Sequence, residues 1–473
     1  MFRINILKAL LPIFSVVLLI SGCKKYLDVN QDDNDLTTPA VSLLLGPIEE
    51  SVSSRMAAGG AAIYINYWMQ NMTLNQAVPN EVTYVVSNSS FDSYWYYAYV
   101  TNLNNMKIMD DLAMEDGDDI YAGIAKTLTA YTLGYVTDWW GDVPYSDGFA
   151  GISNLTPAFD SQEDIYNDLQ LLLDSAIVEF DRANGLVPGS DDYYYAGDTS
   201  SWKKLAYSLK ARFYMHLINA SGYDAVTQSK LALAALDNGL TSYTEDCYFP
   251  YSGGQNYSAP WYWNFYNTTT NILASQYVDS LKSRNDPRMT ILLSPASNTG
   301  LYTGSVIGSG FQTLYDFSIP GDFYAADDAN GYVFSADEAL FLKAEATYYV
   351  SGVSDAQTVY QEAILNNMAK MGLSASADSV ESYMTSRGTL TSANAIRRIM
   401  EEKSVANFFS PEIWTDWRRT GYPALTVIST ANGAPASVTE IPRRFLYPLS
   451  EQTANPSNVP TATLIDRVWW DTQ

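Results

Sequence analysis

Two helix-start signals stand close together late in the chain. Ser335 is followed by Glu338, and Ser354 by Gln357. Each pair sets a hydroxyl and a long polar side chain at the capping-box spacing that opens a helix. The first predicts a helix through Val350, the second a helix through Met371. Only Ser351 to Val353 lie between them, too little chain for anything but an antiparallel helical hairpin. Each helix of such a hairpin must bury its apolar face on further helices.

The rest of the chain supplies those helices. Apolar spacing predicts them over Val41 to Met56, Ala61 to Met72, Phe91 to Met114 and Asp119 to Trp140. Asp160 reads as an N-cap with Glu163 at the capping-box position, ahead of Ile165, Leu169, Leu172, Ile177 and Phe180 on one side. Ser201 to Ala220 and Tyr223 to Asp237 form another pair, and Ala393 to Phe409 with Pro411 to Arg419 a last one. Repeated helix pairs predict an all-α fold of tetratricopeptide type. The repeat is irregular, because long aromatic-rich inserts, Gln255 to Asn271 and Asn298 to Tyr332, interrupt it. No linker divides the body, which predicts one domain over 41–473.

The N-terminus is of a different kind. Arg3 and Lys8 precede an apolar run, Ala9 to Ile20, that is short for a membrane span and ends in Leu19-Ile20-Ser21-Gly22-Cys23. A small residue before a cysteine at the close of such a run predicts a lipoprotein leader over 1–22, cut before Cys23, with acyl chains then carried by Cys23. Residues 23–40 read as the acylated start and a polar, acidic tether. Each buried CH₂ contributes about 0.8 kcal/mol, so two or more acyl chains anchor firmly.

The full chain carries 52 acidic and 27 basic residues, a net charge of −25. Such a body repels nucleic acid and anionic lipid. With Cys23 acylated, Cys247 has no disulfide partner, and His216 is the only histidine, so no zinc site of the usual kind is expected. No cofactor or metal is expected. The acidic run Asp110, Asp111, Glu115, Asp116, Asp118 and Asp119 reads as a solvated face.

Several stretches, in order, resemble one known family. They are Cys23-Lys24-Lys25-Tyr26-Leu27-Asp28, Thr137 to Tyr145, Asn285-Asp286-Pro287-Arg288, Ala339 to Ala346, Trp414 to Gly421, and Ile441 to Pro448 with Asn455-Pro456 beyond. The chain resembles the SusD/RagB nutrient-binding lipoproteins of Bacteroidetes. That resemblance implies a tetratricopeptide-like helical fold, a lipid-anchored place on the outer face of the outer membrane, and pairing with a SusC-like TonB-dependent transporter.

Catalysis finds little footing. Asp138 and Asp142 have the spacing of two carboxylates on one helix face, but Gly141 and Pro144 predict a turn there. Any triad would need His216, which sits among Phe213, Met215 and Leu217 on an amphipathic helix and reads as structural. The family stretches with Trp414, Trp417, Arg418 and Arg419 read as packed structure.

What remains is an excess of rings, 14% of the chain. Loops run over the surface, so rings inside polar inserts are candidate ligand contacts. Tyr257, Trp261, Tyr262 and Trp263 form the densest cluster. Phe311, Tyr315 and Tyr324 lie in the second insert, beside Phe323, and Trp68 and Tyr84 flank a loop with Asn75, Gln76 and Asn80. A ring face beside amides suits a sugar, so an oligosaccharide is the expected ligand and no enzyme activity is expected. A peptide would use the same groups; a lipid-anchored hydrolase or a protein scaffold are the readings from other classes. The competing structural reading is that these rings pin the inserts to the helices.

Overall fold

The computed structural model describes residues 39–267 and 270–472. The leader, Cys23 and residues 24–38 of the tether lie outside these. The principal helices are α1 (Val41–Ser51), α2 (Ala61–Trp68), α3 (Asn104–Asp116), α4 (Asp119–Trp140), α5 (Gln162–Arg182), α6 (Thr199–His216) and α7 (Ala225–Leu236). They continue with α8 (Ser275–Ser283), α9 (Ala336–Ser351), α10 (Val353–Lys370), α11 (Asp378–Arg387), α12 (Ala395–Ala406) and α13 (Glu412–Thr420).

The helices stack in the expected manner. α4 packs on α3 and α5, α5 on α6, α6 on α7, α7 on α9, and α9 on both α10 and α12. The fold is all-α and tetratricopeptide-like. Gly352 alone joins α9 to α10. Ser335 caps α9 by accepting from the Glu338 N–H. Ser354, by contrast, lies inside α10, and Gln357 accepts from the Leu390 N–H. Because one residue suffices for the turn, α10 starts earlier than its apparent cap. Asp160 is likewise outside its helix. Ser161 caps α5, while Asp160 accepts from the N–H groups of Tyr145 and Ser146 and closes the turn after α4.

α4 is buried nearly throughout. Its glycines let neighbours approach: a Cβ at Gly123 would stand 2.6 Å from the Phe180 ring of α5, and one at Gly134 2.6 Å from the Phe213 ring of α6.

Two predicted helices are interrupted. α1 continues as a π-helical stretch, Val52–Ala57, and a second π stretch, Tyr97–Leu103, leads into α3. α2 stops at Trp68, where Gln70 takes a φ of 61° and the chain turns into strand β1 (Met72–Leu74). The strands are short: β2 (Cys247–Pro250), β3 (Asn271–Leu273), β4 (Leu293–Ser294), β5 (Ile319–Pro320) and β6 (Asn330–Phe334). They pair antiparallel as β1–β3, β2–β6 and β4–β5. Met72 lies opposite Leu273, and Leu74 opposite Asn271. Among the described residues no helix is long and apolar enough to cross a membrane.

Charged groups cross the core between helices. Arg212 of α6 donates to both oxygens of Glu338 of α9, at 2.6 and 2.9 Å, and stands 3.7 Å from Glu412 of α13. Arg419 of α13 grips Glu345 of α9 at 2.5 and 2.8 Å. His216 faces Glu412 at 2.8 Å on one side and Tyr166, which donates to Asp138, on the other. Burial alone would lower the His216 pKa, but Glu412 and Asp138 outweigh it and lift the pKa to about 9.

Two predictions follow from this network. Arg212→Ala leaves Glu338 and Glu412 buried against a missing cation, which should cost about 3–5 kcal/mol in urea unfolding; a loss under ~1 kcal/mol would refute the bridging role. The His216 pKa is raised on folding, so its contribution is complete below pH 6.5 and fades as pH rises through about 9. Stability should therefore decline across that window more in the native chain than in His216→Gln; parallel pH profiles would contradict the charged histidine.

Candidate ligand-binding face

The ribbon β1–β3 joins the inserts. From the end of β1, the Asn75 N–H reaches the Thr270 carbonyl at 2.8 Å. The Asn75 side chain then brackets Gln312, donating to its carbonyl at 3.1 Å and accepting from its N–H at 2.7 Å. Ser305 N–H donates to the Leu273 carbonyl, and Leu273 N–H to that of Ser318. The insert carrying Phe311 and Tyr315 is thereby stitched to β3 and to the loop after β1. Asn80 is also spent internally, capping the turn Glu81–Thr83. Gln76 and Gln312 remain as partly or fully exposed amides on these loops.

The candidate rings divide into two sets. Tyr257, Phe311 and Tyr315 are 67%, 73% and 60% exposed, and Trp263 is 38% exposed. Tyr262 is half-buried and stacks on Tyr266 at 5.2 Å. Tyr266, which the expected site omitted, is itself exposed and extends that pair. Its signal was the i, i+4 spacing from Tyr262.

Trp68, Tyr84, Trp261 and Tyr324 are buried, which corrects their reading as loop-surface contacts. Trp68 packs on Trp414 and Phe445 at 5.5 and 5.4 Å, and its indole N–H donates to the Glu81 carbonyl. The Tyr84 hydroxyl accepts from the Ile428 N–H, and burial pushes its pKa up to about 12. Trp261 stacks on Phe409 at 4.2 Å; Phe409 stacks on Phe408, and Phe408 on Tyr277 at 4.2 Å. Tyr324 meets Phe408 and Phe409 edge-on. Trp261 and Tyr324 pin the inserts to the body, and Trp68 and Tyr84 do the same for the loop between them, because a large ring gains more by full burial than by lying half-wetted in a loop.

An aromatic cleft of about 780 Å³ lies elsewhere. Tyr96, Tyr97, Tyr99, Phe149 and Leu155 line it, with Glu451 at its edge. Tyr96 and Val100 in its lining are 55% and 50% exposed.

The groups considered for acid–base work are tied into structure. Asp138 accepts from Tyr166 and Trp470 at 2.5 and 2.8 Å, and Asp142 accepts from the Gln162 N–H. Of the acidic run, Asp110 pairs with Lys126, Asp111 with Lys107, and Asp119 receives Asn184. Among the described residues no group of three His, Cys, Asp or Glu side chains is placed to hold a metal ion.

A family model described as "SusD-like: starch-binding associating with outer membrane" matches residues 33–448. The chain belongs to the SusD-like family. Solved structures share the fold. A chitin-binding protein aligns with a TM-score of 0.79 at 23% identity, over 92% of this chain and 100% of its own. A SusD/RagB family protein of Bacteroides thetaiotaomicron gives 0.75 at 23% identity, over 92% and 99%. A chitin-binding SusD homologue of Flavobacterium johnsoniae gives 0.76 at 20%, over 91% and 98%. No curated protein matches the chain.

In this SusD-like chain, Trp261 and Trp263 should separate stability from surface. Trp261→Ala removes a stacked core ring and should cost about 3–5 kcal/mol in chemical denaturation. Trp263→Ala should stay within about 0.5 kcal/mol. Equal losses would place both rings in one environment, against the structure.

Proposed function

We propose that the protein is a cell-surface lipoprotein of the outer membrane that binds a glycan and hands it to a SusC-like TonB-dependent transporter. The observation that carries this reading is the set of exposed rings, Tyr257, Trp263, Phe311 and Tyr315, on the two inserts, the second of which is hydrogen-bonded to the loop after β1. A ring face covers the C–H face of a sugar, and the neighbouring Gln76 and Gln312 amides offer both donors and acceptors to hydroxyls. The family's association with the outer membrane and two chitin-binding neighbours support a glycan as ligand. Capture without turnover fits side chains that are apolar or amide where the ligand would lie. Cys23 supplies the anchor in this reading, and the mostly acidic body stands off from the anionic membrane surface.

The test is a glycan and peptide panel titrated against the full chain. A neutral oligosaccharide should bind and be recovered intact. Trp263→Ala combined with Tyr262→Ala should weaken it about tenfold or more, at roughly 1 kcal/mol per lost stacking ring. Peptide binding alone would replace the ligand class, and cleavage products would replace the function. In cells, Cys23→Ala should move the protein out of the membrane fraction; continued retention would remove the anchor.

A further inference from the structure

A cleft of about 430 Å³ opens at the end of the β1–β3 ribbon, and its charge is opposite to that of the molecule. Gln70 and Asn71, just before β1, form one wall. Gln276 and Tyr277 of α8, just after β3, form another. Arg284, Arg387, Arg397 and Arg398 line it, against the single carboxylate of Glu401. Behind them lie Arg288, Asp286 and Glu402. Five guanidiniums thus face three carboxylates, within a chain of net charge −25.

The arginines are unequally occupied. Arg387 is satisfied by Glu401 and Glu402, both at 2.8 Å. Arg284 stands 3.8 Å from Glu402 and donates to the Ser280 carbonyl. Arg398 donates from one guanidinium nitrogen to the carbonyls of Arg387 and Thr389. Arg397 has no acidic partner among the described residues and is exposed. Tyr277 of α8 lines the same cleft, with its hydroxyl buried.

We infer that this cleft is a subsite for the acidic group of a sugar: a carboxylate or sulfate held by Arg397 and its neighbours. Guanidinium presents a planar fork that matches both oxyanions. The volume admits one sugar unit, and the ribbon connects the cleft to the loops that carry Phe311 and Tyr315. The inference rests on the glycan-capture reading and deepens it: among the glycans bound, those carrying negative charge are preferred. Such a ligand meets general repulsion from the acidic body, so a concentrated local positive charge is what its binding requires.

The experiment titrates the full chain, at low salt, with a galacturonic acid trimer, the matching neutral galactose trimer, a sulfated galactose trimer and inorganic sulfate. One of the acidic trimers should bind about tenfold tighter than the neutral one, as a charge-assisted hydrogen bond provides. That margin should shrink as salt rises. Arg397→Glu should abolish it while the folded circular-dichroism signal stays. The carboxylated and sulfated arms identify which acid is taken. Equal binding of all three trimers, or an unchanged margin in Arg397→Glu, overturns the inference. Inorganic sulfate competing as well as an acidic trimer also overturns it, by reducing the cleft to an anion trap. Trp263→Ala with Tyr262→Ala serves as the separate control: loss of neutral-glycan binding there, with no acidic margin anywhere, leaves capture standing and removes only the subsite.

Discussion

The bridge from Arg212 to Glu338 and Glu412 is the constraint on which the helical stack depends. Apolar contact between helices is non-directional, and a stack held by it alone tolerates sliding. A buried guanidinium does not. Its hydrogen bonds to Glu338 are short and two-pronged, and a slip by one turn would leave three charges unpaired where water cannot reach them. His216–Glu412, Arg419–Glu345 and Lys403–Asp416 repeat the arrangement across α6, α9, α12 and α13. The stretches that carry the family resemblance supply many of these groups. Arg418 lies on the Trp414 ring at 4.0 Å, and Arg443 pairs with Asp471. These residues fix the scaffold, and the insert loops ride on it.

The inserts are held differently, by rings. The run Trp261, Phe409, Phe408, Tyr277 brings together a loop, the end of α12 and the start of α8. Stacked rings bury a large area with little conformational freedom to lose, so they fasten long polar loops that have few apolar side chains to offer. The cost is that ring-rich sequence no longer marks ring-rich surface. The loops expose only the rings left over once the ladder is complete.

This explains what could be read from the sequence. The α9–α10 hairpin, the Ser335 cap and the stacking of successive helices were legible, because each is set by residues within a few turns of one another. Ser354 and Asp160 misled because a hydroxyl or carboxylate at capping spacing finds other partners once the chain folds back. Trp261 and Trp263 show the limit most sharply. Two residues apart on a helical turn, they point about 200° apart. Which one faces inward is decided by Phe409, far along the chain, and local pattern holds no record of that. Tyr84 and Tyr324 also meet partners remote in sequence, Ile428 and Phe408. The arginine cleft was illegible for the same reason, since its walls come from the turn between α2 and β1, from α8, α11 and α12, and from the loop at Pro423.

The paired hydrogen bonds between Asn75 and Gln312 have a thermodynamic corollary. They lock two surface loops into a single rigid plate before any ligand arrives. Ordering those loops on contact would otherwise consume part of the attraction, so a plate fixed in advance returns more of it as affinity. Its calorimetric mark is a binding event with a small entropic penalty and little change in loop protection against hydrogen exchange. A surface ordered in advance selects a ligand by fit to a standing shape.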